Sequence, residues 1–146
     1  MRPALHRARG VKIGTNVFIG DDVFIDNEYP ECIEIGDNVQ ISIRAVIVAH
    51  TRGPGRVIIE KDAFVGPHCV IACSANRTLT IGAGAVIGPG CVITRNVAPR
   101  AYLALPAPRP TCMATVPLPL ASSIDEFIAG LRPWAPSKEI GDKGSG

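Results

Sequence analysis

A six-residue repeat is the feature that most constrains how this 146-residue chain can fold. Aliphatic residues recur every six positions in four groups of three, commonly with glycine one position later. The members are Ile13, Ile19 and Ile25; Ile35, Ile41 and Ile47; Ile59, Val65 and Ile71; and Ile81, Ile87 and Ile93. This period matches neither the α-helical period of about 3.6 nor one long alternating strand. It predicts an all-β fold in which short strands joined by turns close about four triangular coils. We expect the first and fifth side chains of each hexad to point into the core.

The spacing between the groups points to one corner of each coil. The first members of successive groups lie 22, 24 and 22 positions apart, whereas three hexads need only 18. The extra residues always follow the third hexad, so all the inserted loops leave the same corner. Loops on a rigid scaffold commonly carry functional residues, although tolerated surface insertions would give the same spacing.

Composition and charge exclude several classes of protein. The chain is 47% hydrophobic and 19% charged, which excludes wholesale disorder. No apolar run reaches about 18 residues, so we expect no membrane span, and the first ten residues do not read as a secretory signal. Five cysteines without C-x-x-C spacing predict free thiols and a cytoplasmic location. Four arginines and no acidic residue between Ala63 and Ile124 suit a small phosphorylated ligand and are too few for nucleic acid.

Three segments carry a resemblance to a known family: VFIDNEYPECIEIGDNVQISIRAVIVAH, IEKDAFVGPHCVI and IGAGAVIGPGCVITRNVAP. From about Val11 to Arg109 the sequence resembles the hexapeptide-repeat acyltransferases, and most closely the sugar O-acetyltransferases of the maltose and galactoside acetyltransferase group. The resemblance implies a left-handed parallel β-helix, acetyl-coenzyme A as the acyl donor, no metal, and a homotrimer. It also implies a sugar-like acceptor, acylated on a hydroxyl or an amine. The expected organisation is a lead-in over 1–10, a β-helix acyltransferase domain over 11–110, and an extended segment, helix and tail over 111–146.

His50 is the candidate catalytic residue. As the fourth residue of its hexad it is predicted to face outward in a column with Glu28 and Ser74, since stacked strands lie about 4.8 Å apart. A carboxylate beside a histidine fixes its tautomer and raises its pKa, which suits a general base, although a surface histidine can also have an acidic neighbour by chance. The resemblance adds that IVAH, residues 47–50, matches the family segment whose histidine is the catalytic base.

Asp26, Asn27, Glu28 and Tyr29 are candidates to bind the acceptor or to orient His50. Acidic and amide side chains near a tyrosine are suited to hydrogen bonding with sugar hydroxyls. An Asp–Asn turn before Pro30 explains the same residues equally well.

The coenzyme A contacts are assigned by the resemblance alone. It places them at Pro67, Pro89, Thr94, Arg95 and Arg109. The two prolines cannot donate a backbone N–H, so their contacts would use a carbonyl or apolar surface. Arg95 and Arg109 keep the positive charge expected near the phosphates.

The C-terminal part predicts a short helix. Ser123 is a candidate N-cap and Pro133 a candidate stop for an apolar stripe of Ile124, Phe127, Ile128 and Leu131. We expect this helix to cap the open end of the coil stack, where strand edges would be exposed, or to bind a partner.

Two other classes of function remain open from the sequence. One is a non-catalytic assembly or binding module built on the repeat. The other is a γ-type carbonic anhydrase, a class in which three histidines from neighbouring subunits hold a metal. Only His50 and His68 lie inside the coils, on different corners, and His68 suits a structural or neighbouring-subunit role. Cys69 and Cys91 are fifth hexad residues and are predicted to point into the core.

Overall fold

The computed structural model describes residues 1–118 and 123–135, which belong to two compact units divided after residue 105. In the first unit, short strands stack into the β-solenoid that the repeat predicts. The strands in chain order are β1 (Lys12–Ile13), β2 (Phe18–Ile19), β3 (Phe24–Ile25), β4 (Ile33–Ile35), β5 (Gln40–Ile41), β6 (Val46–Thr51), β7 (Arg56–Ile59), β8 (Phe64–Val65), β9 (Val70–Ser74), β10 (Thr78–Ile81), β11 (Val86–Ile87), β12 (Val92–Ile93) and β13 (Tyr102–Leu103).

These strands form three parallel sheets, one for each side of the triangle. The first sheet has the order β1-β4-β7-β10, the second β2-β5-β8-β11-β13, and the third β3-β6-β9-β12. Ile13, Ile35, Ile59 and Ile81 pair with one another in register, which confirms the predicted interior row. The chain turns between the sheets at three corners. The first corner follows the first sheet, the second corner follows the second, and the third corner comprises residues 26–32, 52–55, 75–77 and 94–96.

The core confirms the predicted inward positions except at the third corner, where the fifth residues Tyr29, Thr51 and Ala75 are not buried. First hexad residues are mainly buried isoleucines, and fifth residues are small because three walls converge on a narrow interior. The buried fifth residues are Val39, Ala45, Ala63, Cys69, Ala85 and Cys91. All five cysteines of the chain are free thiols.

The first and second corners of each coil are tight turns, and the third corner differs from them. The fourth hexad residue adopts a left-handed backbone at the first and second corners, with φ between 53° and 74°. These residues are Asn16, Asp22, Asn38, Arg44, Asp62, His68, Gly84, Gly90 and Arg100. At the third corner the equivalent residues His50 and Ser74 instead continue β6 and β9, and the longer loops follow.

A partial fifth coil extends the four that the sequence predicts. Val97 bridges Ile81 in the first sheet, and β13 pairs with β11 in the second. The third-corner segment of the fourth coil has no insertion, so Val97 arrives only 16 positions after Ile81. This shortened hexad breaks the strict period of six, so the repeat predicts only four coils.

A helix, α1 (Arg2–Ala8), covers the N-terminal edge of the solenoid, where the sequence indicated only a lead-in. Arginines from residues 2–9 each donate a hydrogen bond to a carbonyl of a different first-coil strand. The pairs are Arg7 to Ile13 (3.1 Å), Arg2 to Ile19 (3.3 Å) and Arg9 to Ile25 (3.1 Å). These contacts satisfy carbonyls that would otherwise form an open sheet edge.

The second unit contains a helix, α2 (Ile124–Ala129), between two antiparallel strands, β14 (Cys112–Ala114) and β15 (Leu131–Pro133). Ser123 caps α2 as predicted: its hydroxyl accepts from the Glu126 N–H (3.2 Å), and the Glu126 carboxylate accepts from the Ser123 N–H (2.9 Å). The predicted end of the helix is wrong, because α2 stops before Gly130 and Leu131 belongs to β15.

Part of the predicted extended segment, residues 119–122, and the predicted tail within 136–146 lie outside the described residues, and capping of the stack by α2 stays a prediction. Within the described part of the chain, no helix is both long and apolar enough to cross a membrane.

Candidate active site at the third corner

A histidine–aspartate pair lies at the third corner, between the first two coils. Asp26 directly follows β3, and its backbone N–H donates to the Ile47 carbonyl of β6 (2.9 Å). His50 lies near the end of β6, and its Nδ1 is hydrogen bonded to Oδ2 of Asp26. Because a carboxylate only accepts, the neutral imidazole carries its proton on Nδ1 and leaves a lone pair on Nε2.

A β-bulge sets the position of His50. Val48 pairs with Ala72 and Thr51 with Ser74, so β6 has one residue more than β9 in this interval. The predicted column is therefore wrong for Ser74, which pairs with Thr51, whereas Glu28 does lie beside His50. At this point the loop folds back on the strand, with the Gly55 N–H donating to the Ala49 carbonyl (2.6 Å). Bulges of this kind redirect a side chain, and here the residue affected is His50.

Asp26 is fully buried, and its carboxylate is saturated with hydrogen bonds. Oδ1 accepts the N–H groups of Glu28 (3.0 Å) and Tyr29 (3.2 Å), and Oδ2 accepts the Ala49 N–H (2.8 Å) as well as His50. Burial raises the pKa of Asp26, but the hydrogen bonds outweigh it and hold the pKa below its usual value. Of the two roles considered for Asp26, this geometry fits the orientation of His50, since no lone pair is left for an acceptor.

The environment of His50 suits a proton acceptor. The hydrogen bond that Nδ1 of His50 donates to Asp26 raises the pKa of His50; desolvation partly opposes this rise, and the negative charges of Asp26 and Glu28 add to it. Nε2 lies 3.6 Å from Oε2 of Glu28, and the His50 side chain is 29% exposed. The imidazole is therefore partly exposed to solvent, with a carboxylate beside its free nitrogen.

Tyr29 and Asn27 have different surroundings. The ring of Tyr29 lies 5.5 Å from the ring of His50, centroid to centroid, at an angle of 52°. Oδ1 of Asn27 accepts a hydrogen bond from Nη1 of Arg9 (2.5 Å). Glu28 and Tyr29 thus lie beside His50, whereas Asn27 is bound to the N-terminal segment.

Among the residues predicted to contact coenzyme A, those in the solenoid lie at two different corners. Thr94 and Arg95 follow β12 at the third corner, where they line a cavity of about 410 Å³ together with Cys73, Ser74, Arg77, Thr78, Leu79 and Asn96. Arg77, which the sequence did not mark as a site residue, therefore adds a second guanidinium to this groove. Its signal was its membership of the stretch that has arginines and no acidic residue.

Pro67 and Pro89 lie apart from this groove, at the second corner. The Pro67 carbonyl accepts the Gly90 N–H (3.0 Å), so one of its two lone pairs is already used within the protein. Arg109 is an exposed residue of the second unit.

A metal centre has no support in residues 1–118 and 123–135. These residues contain no group of three or more histidine, cysteine, aspartate or glutamate side chains that could hold a metal ion. His50 and His68 lie at the third and second corners.

The fold and the site define a hexapeptide-repeat β-solenoid with a histidine–aspartate pair at one corner. No family model matches the chain. Its sequence is 31% identical over 102 residues to the bifunctional protein GlmU of Polaromonas naphthalenivorans (strain CJ2), covering 60% of this chain and 20% of that protein. The chain therefore spans about a fifth of this relative.

Among solved structures, the chain is similar to serine acetyltransferase isoform 3 from Entamoeba histolytica, crystallised in complex with cysteine. The TM-score is 0.44 at 18% sequence identity, covering 75% of this chain and 40% of that one. Because both comparisons reach only part of a larger protein, the activity of this chain is inferred from its own site.

Proposed function

We propose that the protein transfers an acetyl group from acetyl-coenzyme A to a hydroxyl of a sugar or sugar-like acceptor. The observation that carries the proposal is the free Nε2 of the partly exposed His50, held in the basic tautomer by the buried carboxylate of Asp26. The resemblance of residues 47–50 to the segment that contains the catalytic base of hexapeptide-repeat O-acetyltransferases supports the same role. It also supports the sugar class of acceptor.

The reaction assigns each proton and bond to a named group. Nε2 of His50 takes the proton of the acceptor hydroxyl while its oxygen attacks the thioester carbonyl, forming the new C–O bond. The buried Asp26 stabilises the imidazolium during this step. The C–S bond then breaks, and the departing thiolate takes the proton from Nε2, which restores the neutral histidine. An amine acceptor would lose its proton by the same route.

The acceptor and donor would approach His50 from opposite directions along the third corner. Glu28 and Tyr29, beside His50, supply a carboxylate and a phenol for acceptor hydroxyls. Arg77 and Arg95, in the groove formed by the later coils, supply positive charge for the phosphates of coenzyme A.

A homotrimer would complete the donor site. Pro67 and Pro89 lie at the second corner and Arg95 at the third, so contact of one coenzyme A with both sets is explained if two copies bring these corners together. A sedimentation mass equal to one chain would contradict the trimer and leave the role of His50 to be tested separately.

Labelled acetyl-coenzyme A incubated with sugars, nucleotide sugars and small alcohols, followed by mass spectrometry of the products, tests the activity. His50→Ala should lower turnover by roughly 10²–10⁴-fold, the usual contribution of positioned proton transfer. It should leave coenzyme A binding, measured by calorimetry, nearly unchanged. The control is Lys61→Ala, an exposed side chain at the first corner, away from His50 and from the proposed coenzyme A contacts. Near-normal turnover in His50→Ala, or coenzyme A binding without turnover of any acceptor, would contradict the proposal.

A further inference from the structure

Arg9 contacts both chain neighbours of Asp26. Its Nη2 donates to the carbonyl of Ile25 (3.1 Å), and its Nη1 donates to Oδ1 of Asn27 (2.5 Å). The planar guanidinium therefore fixes the backbone before Asp26 and the side chain after it. No other residue in the described part of the chain donates to these two acceptors from α1 or the segment that follows it.

The orientation of Arg9 is itself fixed by His6. Nη2 of Arg9 lies 2.7 Å from Nδ1 of His6, and because arginine only donates, Nδ1 is the acceptor. Burial, and then the charge of Arg9, lower the pKa of His6, which keeps the ring neutral and able to accept. The guanidinium of Arg9 thus makes three hydrogen bonds, to Ile25, Asn27 and His6.

The position of Asp26 makes these contacts relevant to His50. Asp26 lies in the first coil, whose N-terminal edge has no neighbouring coil. The carboxylate is oriented from above by Ala49 and His50, and from its own loop by the N–H groups of Glu28 and Tyr29. That loop therefore requires an anchor on the open side of the first coil.

We infer that Arg9 is a positioning residue for the proposed catalytic pair, which it supports by clamping the loop that holds Asp26 against His50. The inference rests on the proposed role of His50 as the base. Arg9 is distant in sequence from both Asp26 and His50, and it acts on His50 only through Asp26.

Arg7 provides a matched control on the same segment. It donates to the carbonyls of Ile13 and Gly14, so it anchors the N-terminal segment to the first coil just as Arg9 does. These contacts lie at the first corner, away from Asp26. Loss of Arg7 and loss of Arg9 should therefore weaken the N-terminal cover alike, whereas only loss of Arg9 should disturb His50.

The direct readout is the pKa of His50, measured by NMR titration of the ligand-free protein. If Arg9 acted only through its charge, Arg9→Ala would raise the pKa of His50, because a nearby cation would be removed. If Arg9 positions Asp26, the weakened Asp26 hydrogen bond lowers that pKa instead. Arg9→Lys separates the two effects further, since lysine keeps the charge but cannot form both arms of the fork. We expect both variants to lower the pKa of His50 and Arg7→Ala to leave it unchanged.

The kinetic readout is turnover with acetyl-coenzyme A and the best acceptor from the screen. We expect Arg9→Ala to lower kcat by about tenfold, the rate equivalent of one lost hydrogen bond, with little change in donor KM. Arg7→Ala should keep kcat, and thermal melting should show similar stability losses for both alanine variants. An unchanged or raised His50 pKa in Arg9→Lys, or equal effects of the Arg7 and Arg9 substitutions on His50, would overturn the inference. Because the titration needs no substrate, these results are distinct from a failure of His50→Ala to affect turnover.

Discussion

Replacing Asp26 with asparagine tests how the carboxylate controls His50. The substitution keeps the shape of the side chain but leaves one oxygen to accept where there were two. In the wild-type protein, Oδ1 of Asp26 accepts the N–H groups of Glu28 and Tyr29, and Oδ2 accepts the Ala49 N–H and the Nδ1–H of His50. In either orientation of the amide, two donors that Asp26 satisfies must face an NH₂ group.

The amide oxygen is expected to stay with Glu28 and Tyr29, because only the Ala49 N–H then lacks an acceptor, whereas the opposite orientation leaves both of those N–H groups unpaired. If the amide oxygen stays with Glu28 and Tyr29, the NH₂ group faces His50, whose Nδ1 must then accept and whose proton moves to Nε2. A histidine in that tautomer cannot act as the base, and the comparable tautomer error in a serine protease triad costs about 10⁴-fold in kcat. The buried Ala49 N–H also loses its acceptor, which costs about 1–3 kcal/mol of unfolding free energy. We therefore expect a loss of kcat of roughly 10³–10⁴-fold in a folded but less stable protein.

Three measurements on Asp26→Asn check this chain of reasoning. Steady-state kinetics should show the loss in kcat, calorimetry should show retained coenzyme A binding, and nitrogen chemical shifts of His50 should report the proton on Nε2. Glu28→Gln is the matched control, because Glu28 is the exposed carboxylate on the other side of the ring, 3.6 Å from Nε2. Glu28→Gln should cost less. An Asp26→Asn variant as active as wild type, or one that keeps the proton on Nδ1 with full loss of activity, would refute the tautomer argument.

Further predictions concern pH and the donor. Because the pKa of His50 lies above 6.5, kcat/KM should rise with pH through that raised value. The raised pKa of His50 adds stability that is fully present below about 6.5 and is lost as pH rises through its folded value, so the difference in urea unfolding between wild type and His50→Ala should become smaller at high pH. The lowered pKa of Asp26 adds stability that is present above 3.8 and is lost as pH falls through its folded value. Asp26→Asn has no carboxyl group at this position, so its acid unfolding should lack this loss of stability. Arg95→Ala and Arg109→Ala should each raise the Kd for coenzyme A and spare transfer at saturation; if only one does so, the other is not a donor contact.

The solenoid was predictable from the sequence because its core repeats locally. Most hexads bury their own first residue, so the row that contains Ile35 and Ile59 follows directly from the spacing. The bulge at His50 was not predictable in this way. It lies where residues 52–55 fold back on β6, and the six-residue count assigns no register inside an insertion.

The second-hexad position of Asp26 could have predicted from the sequence that this residue orients His50. The second hexad position faces the next coil, and glycine occupies it at Gly14, Gly20 and Gly36 because neighbouring backbones approach closely there. An acidic residue at this position reaches the backbone of the next coil: Asp26 accepts the Ala49 N–H (2.8 Å), and Glu60 accepts the Ala83 N–H (2.7 Å). An acid at the second position therefore predicts an acceptor for the backbone of the next coil, whereas an acid at the fourth, such as Glu28, predicts an exposed side chain.

The location of the pair between the first two coils follows from the physics of the corners. At the first and second corners a left-handed residue closes each turn within the hexad, which leaves no inserted backbone to surround a side chain. At the third corner the loops supply the N–H groups that saturate Asp26, and the bulge turns His50 toward it. The first coil has an open edge, however, so a buried carboxylate there requires a cover on its N-terminal side. Arg9, which directly follows α1, contacts the Asp26 loop on that side, and through this contact we propose that the segment outside the repeat influences the protonation of His50.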